Sequence, residues 1–429
     1  MITVKGSPSR YMSFYISIAV FFYLATTVSS RGAYSYGIVL LWLAGLGIFF
    51  TQSRPKLSAQ DVLVLSVYMS YFFTHYTVNL YHHDILREYD LPLRFLLAIP
   101  VLWLFKKCPI YSPAVWGGLA IGAISGFFVI LWQLILIRSS GSSAPPFIHL
   151  GNISMIIGLM CFAGWRWAIA RERYRFIWLG LILLGGIAGM AASVLTGTRG
   201  AWLAVPIVLV IYLFDLAYFF RWSAVKVAGY ALMALLLIAI TAYQNPIIKS
   251  RYDLAVNETQ LFFHPTPESR QKAEDTSVGQ RWLMWSNALY MIQIKPWLGW
   301  GKKGYLDFKN ERILNGEVLP QIAKYTDAHN DYLDALAKRG LFGLLSLLAL
   351  FILPFILFTN ILVNGSFEQR SFALSGVVMI IGYAISGLTC TFMTINMDVM
   401  FYSITTLVLW GFIAGGNPSD TSISQLRAS

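Results

Sequence analysis

The chain is 429 residues long, 57% hydrophobic and only 12% charged, with a mean hydropathy of +0.62. Soluble domains carry about 25% charged residues, so this composition excludes an ordinary soluble globular protein. The formal net charge is +12, and its distribution along the chain argues against nucleic acid as a partner.

Apolar runs near the ~20 residues that cross the hydrocarbon core recur at 13–30, 34–51, 60–80, 91–105, 114–137, 150–170, 176–195, 200–220, 225–243, 340–360, 371–392 and 397–415. They predict an all-α polytopic membrane protein with about twelve transmembrane helices. The fourth run is short and contains Pro100. The first follows Lys5 and Arg10, as a signal sequence would, but no clean small-residue cleavage site follows it, so it reads as an uncleaved signal-anchor. With the N-terminus inside, Lys5, Arg10, Arg54, Lys56, Lys106, Lys107, Arg171, Arg173, Arg175, Arg221, Lys226, Arg370 and Arg427 fall on cytoplasmic segments. The short outer loops hold only Arg31, Arg87, Arg138 and Arg199. That asymmetry is the positive-inside pattern; it puts both termini in the cytoplasm and the long hydrophilic stretch outside. The chain divides into spans one to nine (1–243), an outer loop (244–339), spans ten to twelve (340–416) and a polar cytoplasmic tail (417–429). Cys108, Cys161 and Cys390 lie in or beside spans and read as small apolar fillers.

Three outer segments interrupt the apolar pattern. In Tyr81–Asp90, the run His82-His83-Asp84 has the residue types of a metal site. Adjacent residues rarely ligate one ion well, further ligands are not obvious, and His75, His149 and His264 are scattered, so no metal or other cofactor is expected. The stretch 138–146 reads as loop from its Ser, Gly and Pro content. In the long loop, Trp282, Trp285, Leu289 and Ile292 recur at helical spacing after Ser277 or Gly279, and Lys295-Pro296 ends that helix. Gly299, Gly301 and Gly304 then predict a flexible turn around Trp297 and Trp300. A second helix is expected from Asp327, as N-cap, to Arg339, with Gly340 as its stop. His329 would then sit in the first turn, where the helix dipole disfavours a second positive charge. A histidine kept neutral is a usable general base.

Arg199 stands between two apolar runs with almost no loop to separate them. An arginine deep in a bilayer is costly; snorkelling to the surface is the bland reading, and the flanking Thr and Gly residues favour a tight polar pocket for an anionic ligand. Arg281 opens the amphipathic helix, where an interfacial contact with lipid phosphate is the bland reading. Guanidinium forks suit bidentate phosphate binding, so Arg199 and Arg281 together suggest a pyrophosphate clamp, with Arg138 a weaker third member. Arg94, Arg166, Asp215 and Asp398 lie in or near spans. Intramembrane charges often mark transport pathways, which makes a transporter the rival from another class.

Three segments resemble the O-antigen ligase and polymerase superfamily. They are Thr198-Arg199-Gly200-Ala201-Trp202-Leu203; Gly279-Gln280-Arg281-Trp282 through Trp285, followed by Pro296-Trp297-Leu298-Gly299-Trp300-Gly301; and Ala328-His329-Asn330-Asp331-Tyr332-Leu333, followed by Gly340-Leu341-Phe342-Gly343. The resemblance spans about residues 193–345, with Arg138 to Gly151 a looser echo. It implies a GT-C-like membrane glycosyltransferase of the bacterial inner membrane, with a large periplasmic helical loop between helices 9 and 10. The donor would be an O-antigen glycan on undecaprenyl pyrophosphate and the acceptor a sugar hydroxyl of lipid A-core, in an inverting, metal-independent transfer among membrane lipids. A polymerase extending lipid-linked glycan is the alternative. His329 would be the base, Arg199, Arg281 and Arg138 the pyrophosphate ligands, and Asp327, Asn330 and Asp331 supporting residues. Asp327 or Asp331 is a candidate to orient the imidazole, although Asp327 is read first as a helix cap. Trp282, Trp285, Trp297 and Trp300 would anchor the loop at headgroup level or stack on sugar rings.

Overall fold

A computed structural model describes residues 10–30, 32–50, 55–140, 148–244, 246–263 and 276–414. Each of the predicted apolar runs falls on a helix, and no strand occurs among the described residues. In hydrocarbon a chain must satisfy its backbone polar groups internally, which selects helices. We number them α1 (Arg10–Thr26), α2 (Tyr34–Phe49), α3 (Ala59–Tyr81), α4 (Asp90–Lys107), α5 (Ser112–Ser140), α6 (Ile148–Phe162), α7 (Trp165–Ile169), α8 (Arg175–Thr196), α9 (Ala204–Phe220), α10 (Ala224–Gln244), α11 (Pro246–Phe263), α12 (Ser277–Ile294), α13 (Gly301–Leu314), α14 (Asp331–Asn364), α15 (Phe367–Ser386) and α16 (Asn396–Ala414). Among the described residues, six helical segments are long and apolar enough to cross a membrane: 112–137, 148–169, 175–196, 200–220, 331–364 and 396–414. The apolar α1 and α2 are shorter.

Helix α8 packs on α5 and α6, and small residues set the approach. A Cβ at Gly185 would come within 2.7 Å of Ala120 Cα, and one at Gly189 within 2.6 Å of the Ser154 carbonyl. Gly158 faces Gly189 across the same contact. Small residues one turn apart let backbones meet closely where no hydrophobic force drives helices together.

The charges near spans are tied in place. Arg166 and Asp215, both buried, pair at 2.7 Å and join α7 to α9. Arg94 pairs with Asp90 one turn away at 2.7 Å. Lys106 pairs with Asp61, which also accepts from Trp410 Nε1 at 3.0 Å, and Arg171 pairs with Glu368. The Arg166, Lys106 and Arg171 contacts gather at the end of the bundle holding the predicted cytoplasmic basic residues, whereas Arg94 and Asp90 pair at the opposite end. At the other end lie the segments that carry the motifs.

The stretch 244–339 is more helical than expected. Helices α11 and α13 were not foreseen, and α13 replaces most of the flexible turn. Gly299 and Gly301, at φ +66°, are locked rather than mobile: a Cβ at Gly299 would lie 2.4 Å from the Lys338 carbonyl carbon, and one at Gly301 would lie 2.6 Å from His82 Cβ. Trp300 N–H donates to Ala337 O (3.1 Å), and Leu341 N–H donates to Pro296 O (2.8 Å). Helix α12 starts and stops as predicted, with Thr276 capping Gly279 N–H and Lys295 leaving the helix before Pro296. Gly340 breaks α14 (φ +63°, ψ −162°), and the helix resumes at once.

Replacing Gly189 by Val is expected to lower stability by about 1–3 kcal/mol through overpacking, read as a lower melting temperature in detergent. Gly180 has no heavy atom within 4 Å of its Cβ position, so Gly180→Val in the same helix should leave the melt unchanged.

Candidate functional site

The conformation of His329 differs from the sequence expectation. It precedes α14 instead of lying in its first turn, with φ +47° in the left-handed region. The cap is Asn330, whose Oδ1 accepts from Tyr332 and Leu333 N–H at 3.0 Å each, while its Nδ2 donates to Leu388 O at 3.0 Å. Asp327 is therefore not the cap. One of its oxygens, Oδ1, accepts from His329 N–H at 2.8 Å and meets His329 Nδ1 at 2.6 Å. A proton on Nδ1 shared with Asp327 leaves Nε2 with its lone pair, the tautomer a general base needs. Burial pushes the Asp327 carboxyl up, but the His329 hydrogen bond, the Lys338 ammonium and the His329 backbone N–H outweigh it. Its pKa lies well below the usual carboxylate range.

The turn is braced from several sides. Ala328 N–H donates to Asp334 Oδ1 (3.1 Å), and Trp285 Nε1 from α12 donates to Ala328 O (3.1 Å). Lys338 pairs with Asp334 at 2.6 Å and donates to Thr326 O at 3.0 Å. The Tyr325 ring meets the His329 ring edge-on at 5.0 Å, and the Tyr325 hydroxyl bonds Gln280, the neighbour of Arg281. The first turn of α12 is thereby brought to the histidine. Lys309 of α13, buried, donates to the carbonyls of Ile322, Ala323 and Tyr325 at 3.3, 3.1 and 2.5 Å, fixing the approach to the turn.

Asp331 anchors the other side. It is buried, accepts from Phe392 N–H (3.1 Å) and Met393 N–H (3.2 Å), and donates its own N–H to Gly387 O (2.8 Å). It thus positions the 387–395 loop rather than the imidazole, which Asp327 holds. At its other flank the same loop meets the Arg199 turn, where a Cβ on Gly200 would fall 2.6 Å from Thr389 Oγ1. That turn begins at Gly197 (φ +70°), the left-handed cap of α8. Asn152 Oδ1 accepts from Ala201 N–H at 3.0 Å. A Cβ on Gly151 would overlap the hydroxyls of Thr198 and Thr196, at 1.8 and 2.1 Å. The small and hydroxyl residues around Arg199 therefore serve a close approach to α6, leaving Arg199 exposed on the turn. The side chain of Arg138, the loop 141–147, His264 and the tail 417–429 lie outside the described residues.

Several groups at this end take parts that the sequence did not foretell. His149, on the first turn of α6, pairs with buried Asp398 of α16, and its Nε2 lies 3.7 Å from Cys390 Sγ. Asp84, weighed above as a metal ligand, caps α13 by accepting from Lys302 and Lys303 N–H at 3.1 and 3.0 Å. His82 Nε2 donates to Leu298 O at 3.2 Å, and Lys302 pairs with Glu88 at 2.8 Å. A cavity of about 120 Å³ opens beside Asp327, with Lys302, Arg339, Tyr71 and His75 in its wall. Each of these residues is ordinary in sequence, and only the tertiary fold brings them together.

Comparison with known proteins bears on this end of the molecule. An uncharacterized protein of Haemophilus influenzae is 26% identical over 399 residues, which covers 92% of this chain and 97% of that protein. Residues 184–348 match the O-antigen ligase family, a segment that contains Arg199, Arg281 and His329. With several apolar helices long enough to span a bilayer, the chain reads as a multi-pass membrane protein whose segment 184–348, carrying the motifs, is similar to the O-antigen ligase family.

Proposed function

We propose that the protein is an O-antigen ligase of the bacterial inner membrane. Its donor is O-antigen glycan on undecaprenyl pyrophosphate, and its acceptor is a sugar hydroxyl of lipid A-core. In this reading all twelve apolar runs cross the membrane, both termini are cytoplasmic, and residues 244–339 form a periplasmic segment. The sorting of basic residues along the chain supports that orientation, as does the collection of the motif segments at the opposite end of the bundle.

The observation that carries the mechanism is the single Asp327 oxygen shared by the His329 backbone N–H and Nδ1, at 2.8 and 2.6 Å. It fixes both the ring's orientation and its tautomer. In the transfer, the acceptor oxygen attacks the anomeric carbon as the bond from that carbon to the pyrophosphate oxygen breaks. The configuration inverts, the pyrophosphate departs with the electron pair, and His329 Nε2 takes the hydroxyl proton. Such a base contributes about 10²–10⁴-fold. Charge gathers on the leaving pyrophosphate, and Arg199 and Arg281 neutralise it, with Arg138 as a third ligand. Asn330 and Asp331 act through the backbone, holding the turn against the 387–395 loop.

The test is purified protein incubated with undecaprenyl-pyrophosphate-linked glycan and lipid A-core, with the lipids resolved on a gel. Glycan-capped lipid A is the expected product; longer lipid-linked glycan in its place would make the protein a polymerase, and no new linkage with either acceptor would favour a transporter. His329→Ala should abolish the product at unchanged expression, and undiminished transfer would end the base assignment. Asp327→Asn should lower kcat by about 10²–10⁴-fold with acceptor KM little changed, as loss of the group that orients a catalytic histidine does. Arg199→Ala and Arg281→Ala should cripple turnover or donor binding, with partial recovery on Lys; full activity of both alanine variants would remove the clamp. Transfer should persist in excess chelator, and a loss restored by Mg²⁺ would contradict a metal-independent reaction.

A further inference from the structure

From the cavity beside Asp327 we infer an anion site for the acceptor: Arg339, seconded by Lys302, binds a phosphate or carboxylate substituent carried by the acceptor glycan. The inference rests on the proposed ligase reading and deepens it by naming what the acceptor must carry.

Charge pairing in the cavity points to Arg339. Lys338 is matched by Asp334 at 2.6 Å and Lys302 by Glu88 at 2.8 Å, while the carboxylate of Asp327 is engaged by the His329 backbone N–H and Nδ1. Arg339 has no carboxylate partner among the described residues, and its buried Nε finds no hydrogen-bond partner there. The rest of the 120 Å³ cavity wall is uncharged. Helix α3 contributes Tyr71 and His75, residues 91 and 92 are Leu and Pro, and the 387–395 loop with the start of α16 contributes Met393, Thr394, Ile395 and Val399. His75 is itself committed, its Nδ1 bonded to the Tyr71 carbonyl at 2.8 Å. A second, smaller pocket shares Tyr71, His75, Arg339, Met393 and Thr394, so the space continues along the guanidinium; Asp331 and Asp334 also line it, the first bonded to the Phe392 and Met393 N–H groups and the second to Lys338 and the Ala328 N–H. The cavity has room for several water-sized groups, enough for a phosphate or a carboxyl with neighbouring hydroxyls. A guanidinium fork fits such an anion bidentately.

Position separates this site from the proposed donor clamp. The 387–395 loop touches the Arg199 turn through Thr389 and lines the cavity through Met393, Thr394 and Ile395. Between those flanks it is gripped by Asn330 and Asp331, next to His329. A donor pyrophosphate at the arginine turn and an acceptor anion at Arg339 thus approach the base from opposite ends of one loop.

The experiment compares full-length protein and its Arg339→Gln variant in nanodiscs, using lipid A-core, the same acceptor after phosphatase treatment, and the same acceptor after carboxyl reduction. For the native acceptor, Arg339→Gln should raise KM by about 10–100-fold, the usual effect of losing a charged hydrogen-bond partner, at unchanged kcat and donor KM. The treatment that removes the recognised group should raise KM for the wild type and leave the variant indifferent, which identifies phosphate or carboxylate as the source. Arg339→Lys should recover part of the loss, and Lys302→Gln should show a smaller one. A penalty that persists equally on both treated acceptors, or that appears in kcat or donor KM, would overturn the proposal. Binding of core oligosaccharide to the His329→Ala protein, followed by ³¹P NMR line broadening and thermal shift, needs no turnover. Retained binding that Arg339→Gln abolishes supports the site even if the ligase product never forms, and equal binding with and without Arg339 rejects it.

Discussion

The arrangement of the end that carries the motif segments depends on one buried carboxylate. Asp331 opens α14, yet its side chain is spent on the backbone N–H groups of Phe392 and Met393, and its own N–H goes to Gly387. Carboxylates that accept from backbone N–H groups make strong, short-range ties, and a buried one is costly to leave unpaired. This tie holds the 387–395 loop against α14. The loop in turn supports the Arg199 turn on one flank and the cavity on the other. Asn330 adds a second tie while capping the helix, so residues 330 and 331 fix the loop beside the histidine turn, whose imidazole Asp327 holds.

The motif segments have a packing role of their own. The segment Pro296–Gly301 crosses α14 at Lys338–Leu341, and the two glycines that meet there, Gly299 and Gly340, leave no space for a Cβ on either side. Backbone bonds from Trp300 and Leu341 seal the crossing. Gly151 does the same for the threonines beside Arg199. A glycine in such a motif therefore reports a close approach of two backbones as much as room for a ligand.

Much of the fold was legible in the sequence because apolar length and helical periodicity are local properties. The helix after Thr276 and its end at Lys295-Pro296 follow from short-range rules, and so does the break at Gly340. Helices α11 and α13 were less visible because they mix charged and apolar residues without a clear stripe. The cap before α14 was misassigned to Asp327 for a specific reason: Asp327, Asn330 and Asp331 are all residue types that cap helices. The choice is made by Leu388, Gly387 and Met393, more than 50 residues away, and by the left-handed turn at His329. Asp84 shows the same limit, since its role as a cap is defined by backbone N–H groups 218 and 219 positions later.

The interruption at Gly340 gives α14 two mechanical regimes. Residues 341–364 run through the apolar bundle, whereas residues 331–339 are fastened to the loops at the end that carries the motif segments. A transmembrane helix changes its tilt as bilayer thickness changes. Here an unbroken helix would act as a lever and swing the histidine turn by the same angle. The non-helical dihedrals at Gly340, clamped by the Leu341–Pro296 bond, place a joint between the apolar shaft and the tip that follows His329. The tip then keeps its register to the loops while the shaft adjusts to the membrane it crosses.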